Sequence, residues 1–564
     1  MATSNYWQRF QRQRITRRRM LAATGASAAG LAVLAACGED KKDGDGTPGP
    51  GGTTAPSGTP KPGGRYKEAT PVISDATFGL DPHLAVAAGL AYFARMYNVL
   101  LNRSSVNEEF YYYDLCNDGG LEMPDETTFI FNLRPGVMIP ENNLGVPSRA
   151  MDAEDAKATF DRIANLDLAN ACQFVCQYFA ASEVVEPMIY RVQASTPYAW
   201  FLFNIGRAIS TIPPKELVAA ENAAKMTTAG VGGGPYSIAD GAFVEGERVA
   251  MEKNPLYYRT GQPYIDGWDV VIIGDRPALR AAFLSQDSFQ YGAASDAEVD
   301  ELESGYDVYK ASNDPTYTFI AFSMNVTREP WTDPRIRKAA LYAMNRQDYV
   351  DIVYGGGAQA NGLVHWPVAG ALDPEELEEL QPHDPEQSRQ LIREVTGQDT
   401  IDIKMMYPTS PIEEHEQHLP IFIEQMRAAG FNVEQEARDL GGWLADYRSK
   451  NYDSSLALNQ IYETAEIPLD FQHSKGPAGS NIYHTGLQDP AIDEIIDGTK
   501  RITNFEEQVE AIKEAQRAIY EAGPAFIPLV TPFSRTLYWN FVKDVPTGLG
   551  TTGLFLTHQM WLDR

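Results

Sequence analysis

Basic residues are scarce in this chain of 564 residues, where 47 lysines and arginines face 76 aspartates and glutamates and the formal net charge is -29. A nucleic-acid-binding protein needs a basic surface to neutralise phosphates, so the sequence excludes that class of partner. Hydrophobic residues make up 43% of the chain, which is ordinary for a globular protein and excludes disorder throughout. We therefore expect a folded body of several domains.

Cysteine is rare as well, with four residues in the chain. Three of them (Cys116, Cys172 and Cys176) lie in the body, and an odd number cannot all pair within one chain. Cys172 and Cys176 are four residues apart on a predicted helix, where disulfide geometry is awkward, and no histidine follows at metal-ligand spacing. We interpret them as small buried apolar residues.

Motifs of catalysis are missing too: the sequence has no G-x-S-x-G elbow, H-E-x-x-H helix, S-x-x-K or P-loop. The glycine-rich stretch 230–235 carries a proline at the third glycine of G-x-G-x-x-G, which favours a turn. His415 and His418 could hold a metal on one helix face, but their glutamate neighbours favour a solvated surface. We expect no enzymatic activity, no cofactor and no metal.

Apolar runs of membrane-spanning length do not occur beyond residue 65. The run from Met20 to Ala36 has 17 residues, short of the roughly 20 that span a bilayer. It follows Arg17, Arg18 and Arg19, an order typical of a twin-arginine export signal. It ends in Leu-Ala-Ala-Cys37-Gly, which resembles the lipobox of bacterial lipoproteins. We predict a signal peptide over 1–36 and a lipid on Cys37.

The next segment, 38–64, contains only glycine, proline, threonine, serine, alanine and charged residues. Such a composition cannot bury an apolar core, so we predict a linker over 37–64. A flexible coil of this length has a root-mean-square span of roughly 30 Å. The body would then stay close to the membrane, outside the cytoplasm, in either a single- or a double-membrane cell.

Helix and strand patterns alternate along the body. Aspartate followed by proline predicts helix starts at Asp333, Asp384 and Asp489, and Asp152 opens a fourth helix. Alternation from Ile401, a helical segment from about Glu413 that stops at Gly430, and alternation from Phe431 predict two parallel strands joined by a helix. Further strands are predicted at 128–133, 248–252 and 269–273. The fold class is therefore mixed α/β.

Several motifs of the body follow one another as they do in a known family. They are 78–83 (FGLDPH), 96–101 (MYNVLL), 127–136 (TTFIFNLRPG), 152–155 (DAED), 233–236 (GGPY) and 251–258 (MEKNPLYY). In these segments the chain, from Gly63 to about residue 550, resembles the family 5 extracellular solute-binding proteins of ABC importers. This is the oligopeptide, dipeptide and nickel receptor group.

The resemblance implies an α/β, two-lobed periplasmic-binding-protein-like fold with an extra domain inserted in lobe one. It places lobe one at 65–107, 211–312 and 527–564, the inserted subdomain at 108–210 and lobe two at 313–526. The two lobes would close on a solute held between them. The protein would act as a monomer and deliver the solute to the membrane subunits of an ABC permease.

The resemblance also indicates candidate solute contacts. In peptide-binding relatives an aspartate of lobe two pairs with the amino terminus of the peptide, and Glu463 and then Asp470 are the carboxylates nearest to that position here. Tyr97 and Asn98 match a lobe-one segment that approaches the ligand. Aromatic rings that could line the cleft are Tyr291, Tyr462, Trp200, Trp366 and Trp443.

The expected function is thus capture of a peptide or peptide-like solute for import. Within the same family the alternative is an oligosaccharide receptor, which the aromatic residues favour and which the missing amine-anchoring motif allows. Opines and chelated metal ions are further possible solutes. A secreted hydrolase and a surface adhesin are alternatives from other classes, and neither has a motif in its favour.

Overall fold

The computed structural model describes most of the body. The described residues are 58–71, 79–84, 90–103, 111–165, 173–312, 314–316, 318–409, 415–460, 464–476, 485–547 and 550–564. The predicted signal peptide, Cys37 and most of the predicted linker lie outside them. Within the described ranges, no helix combines the length and the apolar character needed to cross a bilayer.

The body consists of short strands and helices in mixed order. The strands are Arg65–Thr70, Leu101–Arg103, Tyr111–Tyr113, Cys116–Glu122, Thr128–Leu133, Phe179–Glu186, Ile189–Ala194, Tyr236–Ser237, Phe243–Val244, Arg248–Lys253, Gly267–Ile272, Gln290–Gly292, Val308–Lys310, Thr318–Met324, Ala358–Ala360, Ile401–Thr409, Phe431–Asp439, Ser454–Gln460, Phe526–Pro532, Thr536–Trp539, Val542–Lys543 and Trp561–Leu562. The α-helices are Leu90–Met96, Ala153–Ala164, Phe201–Asn204, Lys215–Val218, Arg276–Leu284, Asp296–Gly305, Pro334–Ala343, Arg346–Asp348, Pro374–Leu380, Pro385–Thr396, His415–Ala428, Leu440–Arg448, Glu466–Asp470, Pro490–Arg501 and Phe505–Ala522.

The helices predicted from aspartate caps are all present. The Asp333 carboxylate accepts a hydrogen bond from the Arg335 backbone N–H at 2.8 Å, and Pro334 occupies the first turn. Asp384 and Asp489 cap the helices that begin at Pro385 and Pro490 in the same way. These caps satisfy donors that have no partner inside the helix, which explains why the pattern fixes the helix starts.

The central sheet of lobe two has six strands. Their order is Ala358–Ala360, Phe526–Pro532, Thr318–Met324, Ser454–Gln460, Ile401–Thr409 and Phe431–Asp439. The last two strands are parallel, with Ile401 opposite Phe431, and the helix His415–Ala428 connects them. The predicted strand, helix and strand unit is confirmed. Gly430 ends the helix with a φ of +97°, a conformation that glycine adopts without strain.

Among the residues that the structure describes, three further sheets have three or more strands. A five-stranded sheet pairs Arg65–Thr70 in parallel with Gly267–Ile272, and a three-stranded sheet has Thr536–Trp539 at its centre. A four-stranded antiparallel sheet uses only strands between residues 116 and 194. This last sheet lies within the segment that we expected to form the inserted subdomain.

The chain crosses between the lobes along two neighbouring segments. The Thr316 N–H donates to the Pro532 carbonyl at 2.8 Å, and the Ser534 N–H donates to the Asp314 carbonyl at 2.8 Å. The strand Phe526–Pro532 pairs with Thr318–Met324 inside the central sheet of lobe two. Residues 527–532, which we expected in lobe one, thus continue a strand of this sheet.

Buried apolar residues form two large clusters. One lies in lobe one, where the rings of Tyr66 and Trp268 are 4.1 Å apart between centroids. The other is continuous from residues such as Phe201 into lobe two, where it includes Phe322 and Leu529. Cys176 is buried at the end of a short 3-10 helix over Gln173–Cys176, as expected for a small apolar residue. Cys172 lies outside the described residues.

Candidate functional site

The parallel strands of lobe two end at the edge of the sheet where the chain crosses to lobe one. Thr409 pairs with Asp439 at the carboxyl ends of two of these strands. At the same edge, Gln460 ends the neighbouring parallel strand and pairs with Thr318, which follows the crossing segment. In open α/β sheets, ligands bind just outside the carboxyl ends of the strands. The candidate site is therefore this junction between the lobes.

Glu466 is the central side chain of the junction. It lies in the short helix Glu466–Asp470, which follows the strand ending at Gln460, and it is completely buried. Its Oε1 accepts a hydrogen bond from the Tyr198 hydroxyl at 2.5 Å, and its Oε2 accepts one from the Asn204 amide at 2.9 Å. Tyr198 and Asn204 come from the chain before the crossing, so these two bonds join the two sides of the junction.

The two donors are held in place by their own surroundings. The Tyr198 ring packs against that of Tyr178, with 4.3 Å between centroids. Asn204 ends the buried helix Phe201–Asn204 and also donates to the Tyr198 hydroxyl oxygen. Buried polar groups are normally hydrogen-bonded, and this arrangement provides a donor for each oxygen of Glu466.

A second carboxylate, Asp470, lies one helical turn after Glu466, on the same face of its helix. It is 1% exposed, and its Oδ1 is 2.8 Å from the Lys500 ammonium. The Lys500 ammonium is also 3.2 Å from the Asp497 carboxylate. The Lys500 backbone carbonyl accepts a hydrogen bond from the Ala199 N–H at 3.0 Å, so the lysine links both sides of the junction.

Burial controls the electrostatics of this cluster. It raises the pKa of Glu466, and the neighbouring Asp470 carboxylate raises that pKa further. It also raises the pKa of Asp470, against the opposing effect of the Lys500 ammonium. Although burial opposes its charge, the two carboxylates raise the pKa of Lys500. With the Asp497 carboxylate the cluster holds three acidic side chains and one lysine, so acidic groups are in excess.

Arg535 connects separate segments of the chain beside the expected crossing. Its guanidinium donates to the Ala294 carbonyl at 3.0 Å and to the Asp296 carboxylate at 3.1 Å, both in lobe one. It also donates to the Tyr354 carbonyl of lobe two at 3.1 Å. One planar side chain thus fixes the orientation of the crossing segment against both lobes.

A family profile decides what kind of protein has this junction. The profile of the bacterial extracellular solute-binding proteins, family 5, matches residues 112–472 of the chain. The match covers more than half of the sequence and includes both sides of the junction. The chain belongs to the family 5 extracellular solute-binding proteins.

Relatives and solved structures agree with that assignment. The glutathione-binding protein GsiB of Pectobacterium atrosepticum is 22% identical to this family 5 protein over 484 residues, which is 81% of this chain and 87% of the relative. The structure of DppA from Helicobacter pylori in complex with the peptide STSA has a TM-score of 0.77 at 17% identity and covers 89% of this chain and 99% of DppA. The structure of MoaA from A. tumefaciens in complex with mannopinic acid has a TM-score of 0.76 at 19% identity and covers 89% of this chain and all of MoaA. The expected two-lobed periplasmic-binding-protein fold is confirmed.

The sequence-predicted contacts of this family 5 protein are distributed over several places. Asp470 and Trp200 both lie at the junction, since Trp200 follows Ala199, which bonds to Lys500. Tyr291 lies near the crossing and donates to the Glu298 carboxylate at 2.9 Å. Glu463, Tyr462 and Cys37 lie outside the described residues.

The aromatic candidates differ in exposure. Trp200 is 8% exposed, Trp443 3% and Tyr291 5%, whereas Trp366 is 56% exposed. The Trp443 indole donates to the Ser455 hydroxyl at 2.9 Å and packs on the central sheet of lobe two. Of these four rings, only that of Trp366 is available to a sugar or side chain without a rearrangement.

Tyr97 and Asn98 lie beneath the glycine-rich turn 230–234. The Asn98 amide donates to the buried Asp114 carboxylate at 3.0 Å. A Cβ atom at Gly234 would lie 2.5 Å from the Met96 carbonyl oxygen, so only glycine permits this close approach. The turn predicted from its proline is therefore a packing element over Tyr97.

The LDPH motif has a packing role as well. Asp81 accepts two hydrogen bonds from the Arg162 guanidinium, at 2.9 Å and 2.6 Å. His83 lies between Arg162, at 2.8 Å, and the Thr211 carbonyl, at 3.0 Å. Burial, and then the charge of Arg162, lowers the pKa of His83 to about 4, so the ring is neutral. The motif clamps the helix Ala153–Ala164 onto the rest of the body.

His418 differs from its sequence-based interpretation as part of a solvated face. The side chain is completely buried, and its Nε2 is 2.9 Å from the Tyr354 hydroxyl. The helix His415–Ala428 turns this residue towards the core. Among the described residues, no group of three metal-ligating side chains is present.

Sequence reasoning missed Glu466, Lys500, Tyr198 and Arg535. In the sequence, Glu466 lies between the predicted residues Glu463 and Asp470. Its position shortly after a strand of the central sheet could have marked it as a candidate. The contacts of Lys500 with Asp470 and of Tyr198 with Glu466 carry no local signal, because these partners are distant in sequence. Only the packing of one side of the junction on the other brings them together.

Proposed function

We propose that this protein is the substrate-binding component of an ABC importer and captures a peptide or peptide-like solute between its two lobes. One observation carries the proposal: the polar, electronegative junction lies at the carboxyl edge of the central sheet, where two crossing segments join the lobes. Closure around a solute at such a place excludes water and strengthens every polar contact. The loaded, closed protein would then dock on the permease.

Peptide chemistry is the best-supported solute class. Relatives at 22% to 25% identity are named as glutathione- and di/tripeptide-binding proteins. An electronegative junction suits the ammonium group of an amino acid or peptide. In sequence, Glu463 follows the strand that ends at Gln460, and with Asp470 it is the proposed carboxylate for that group. Tyr97, Asn98 and the aromatic candidates complete the proposed binding surface.

We also infer a lipid anchor. The predicted export signal over 1–36, Cys37 directly after it and the predicted linker over 37–64 support a body that is tethered outside the cytoplasm. Within that body, we propose that the segment 108–210 is inserted in lobe one. Full-length protein should fractionate with membranes, and Cys37→Ala should release it into the soluble extracytoplasmic fraction. A Cys37→Ala protein that stays with the membrane would disprove lipid attachment at this residue.

Solute capture can be tested by ligand-induced stabilisation. The full-length protein would be unfolded and refolded to remove carried-over solute. It would then be melted with separate pools of di- and tripeptides, glutathione, opines, oligosaccharides and chelated nickel. A solute at one hundred times its dissociation constant adds about 2.7 kcal/mol to the native state. We expect the peptide or glutathione pool to raise the melting temperature. A shift with oligosaccharides alone would replace the peptide assignment.

A further inference from the structure

We propose that Glu466 is an interlobe latch, a positioning residue whose carboxylate holds the two sides of the junction together and so stabilises the closed state. The proposal rests on the proposed solute capture, because closure is the step that the latch would control. It adds a residue that sets affinity through the balance between open and closed lobes.

The first argument is the pattern of hydrogen-bonding groups. The side facing Glu466 presents two donors, the Tyr198 hydroxyl and the Asn204 amide. The Tyr198 hydroxyl oxygen already accepts a hydrogen bond from Asn204. A donor at residue 466 would have to compete with Asn204 for that oxygen. A carboxylate offers acceptors only and matches two donors, whereas a glutamine must turn its amide N–H group towards one of them.

The second argument is burial. Glu466 is completely buried in this structure, as are Tyr198, at 1%, and Asn204, at 1%. Separation of the lobes would return all three groups to water, where each is satisfied. With the lobes together, replacement of the carboxylate leaves one of the two buried donors without an acceptor, and an unsatisfied buried donor destabilises the structure. The penalty therefore falls on the closed state.

The third argument is that a backbone hydrogen bond across the junction can report the separation of its two sides. The Ala199 N–H donates to the Lys500 carbonyl across the same junction at 3.0 Å. Its exchange with solvent requires that this bond opens. The bond joins two backbone groups, so a side-chain change at Glu466 leaves both of its partners chemically intact.

The test is hydrogen exchange of the full-length protein without any solute. Glu466→Gln keeps the side-chain volume and replaces the carboxylate by an amide, which changes the hydrogen-bonding pattern and removes the acidic group. A hydrogen bond to a charged group contributes about 1.5–3 kcal/mol, so exchange in the segment 198–204 should become roughly 10- to 100-fold faster. The strand Ile401–Thr409 should keep its wild-type protection, which shows that the central sheet stays folded.

Glu376→Gln is the matched control. The Glu376 carboxylate pairs with Arg517 inside lobe two, and this substitution should leave exchange at 198–204 unchanged. Exchange of that segment in Glu466→Gln within about twofold of wild type would overturn the latch. Because no solute is added, that result is distinct from a failure of the solute panel to stabilise the protein.

A second variant keeps the proposal testable if Glu466→Gln perturbs folding. Tyr198→Phe removes one donor from the opposite side of the junction and should accelerate exchange at 198–204 in the same direction by a smaller factor. Combining it with Glu466→Gln should add little, within about twofold of the single variant, because both changes remove one interaction. If the two substitutions accelerate exchange independently, so that their factors multiply in the double variant, the assignment of a shared latch is overturned.

Discussion

Removal of Lys500 gives the most quantitative test of the junction. Lys500→Met keeps the length of the side chain and deletes its charge. The Lys500 side chain is 7% exposed and that of Asp470 is 1% exposed, so solvent screens the pair little. Deletion of one partner of a buried ion pair costs about 3–5 kcal/mol, because the remaining charge has no compensation. Here three carboxylates would remain, those of Asp470, Glu466 and Asp497.

The expected loss in melting temperature follows from the size of the unfolding unit. Unfolding entropy is about 2.1 cal/mol/K per residue, so 3–5 kcal/mol corresponds to roughly 3–5 °C if the whole body unfolds together. If lobe two unfolds alone, the same free energy corresponds to roughly twice that shift. Calorimetry together with urea unfolding would separate the two cases.

The effect of Lys500→Met should also depend on pH. Burial raises the pKa values of Glu466 and Asp470 above their ordinary values in the folded state. A raised folded-state pKa favours the folded protein at low pH, and this contribution is lost as pH rises through the folded-state pKa. Without Lys500 these values rise further. The deficit of Lys500→Met relative to wild type should therefore be smaller at pH 5 than at pH 7.5.

Two controls decide whether the reasoning holds. Adding Asp470→Asn to Lys500→Met removes the uncompensated charge, and much of the lost stability should return. Lys513→Met, on the neighbouring helix Phe505–Ala522, should change the unfolding free energy by less than about 0.5 kcal/mol. The reasoning is refuted if Lys500→Met costs less than about 1 kcal/mol at pH 7.5, or if its cost does not fall at pH 5.

Three further substitutions test other parts of the molecule. Arg162→Met leaves Asp81 buried without its bidentate partner and should cost about 3–5 kcal/mol in urea unfolding, whereas a loss below about 1 kcal/mol would contradict the clamp. Tyr97→Phe removes a buried hydroxyl that has no hydrogen-bond partner among the described residues, so stability should stay equal or rise by about 1 kcal/mol. A fall in solute affinity in Tyr97→Phe would instead show that the hydroxyl contacts solute. Trp366→Ala removes a ring that is 56% exposed and should change stability by less than about 0.5 kcal/mol, so any loss of solute binding reports a direct contact.

Local patterns predicted the elements of this fold well. Asp333, Asp384 and Asp489 mark helix starts because an aspartate satisfies backbone donors within a few residues. The parallel pairing of Ile401 with Phe431 follows from a short right-handed crossover. The pairing of Phe526–Pro532 with a strand two hundred residues earlier was harder to predict, because no local pattern links segments so far apart.

The contacts of the candidate site, in contrast, could hardly be predicted from local sequence patterns. Asp470 was predicted because it lies near the position of the ligand-binding aspartate of peptide-binding relatives, but its pairing with Lys500 was not visible in the sequence. Burial was equally hidden: His418 stands among glutamates in sequence, yet its ring lies in the core against Tyr354. A side chain's exposure depends on what packs against its helix, and neighbours along the chain do not decide that.

The sequence by itself determined the family, the mixed α/β class and the order of elements, because these depend on motifs, caps and periodicities a few residues long. The tertiary structure decided which charges meet at the junction between the lobes. Tyr198 and Glu466 are 268 residues apart, and their hydrogen bond exists only because the fold brings two distant segments of the chain together. Electrostatic energies depend on distance and burial in space, so the raised pKa of Glu466 became evident only with the fold.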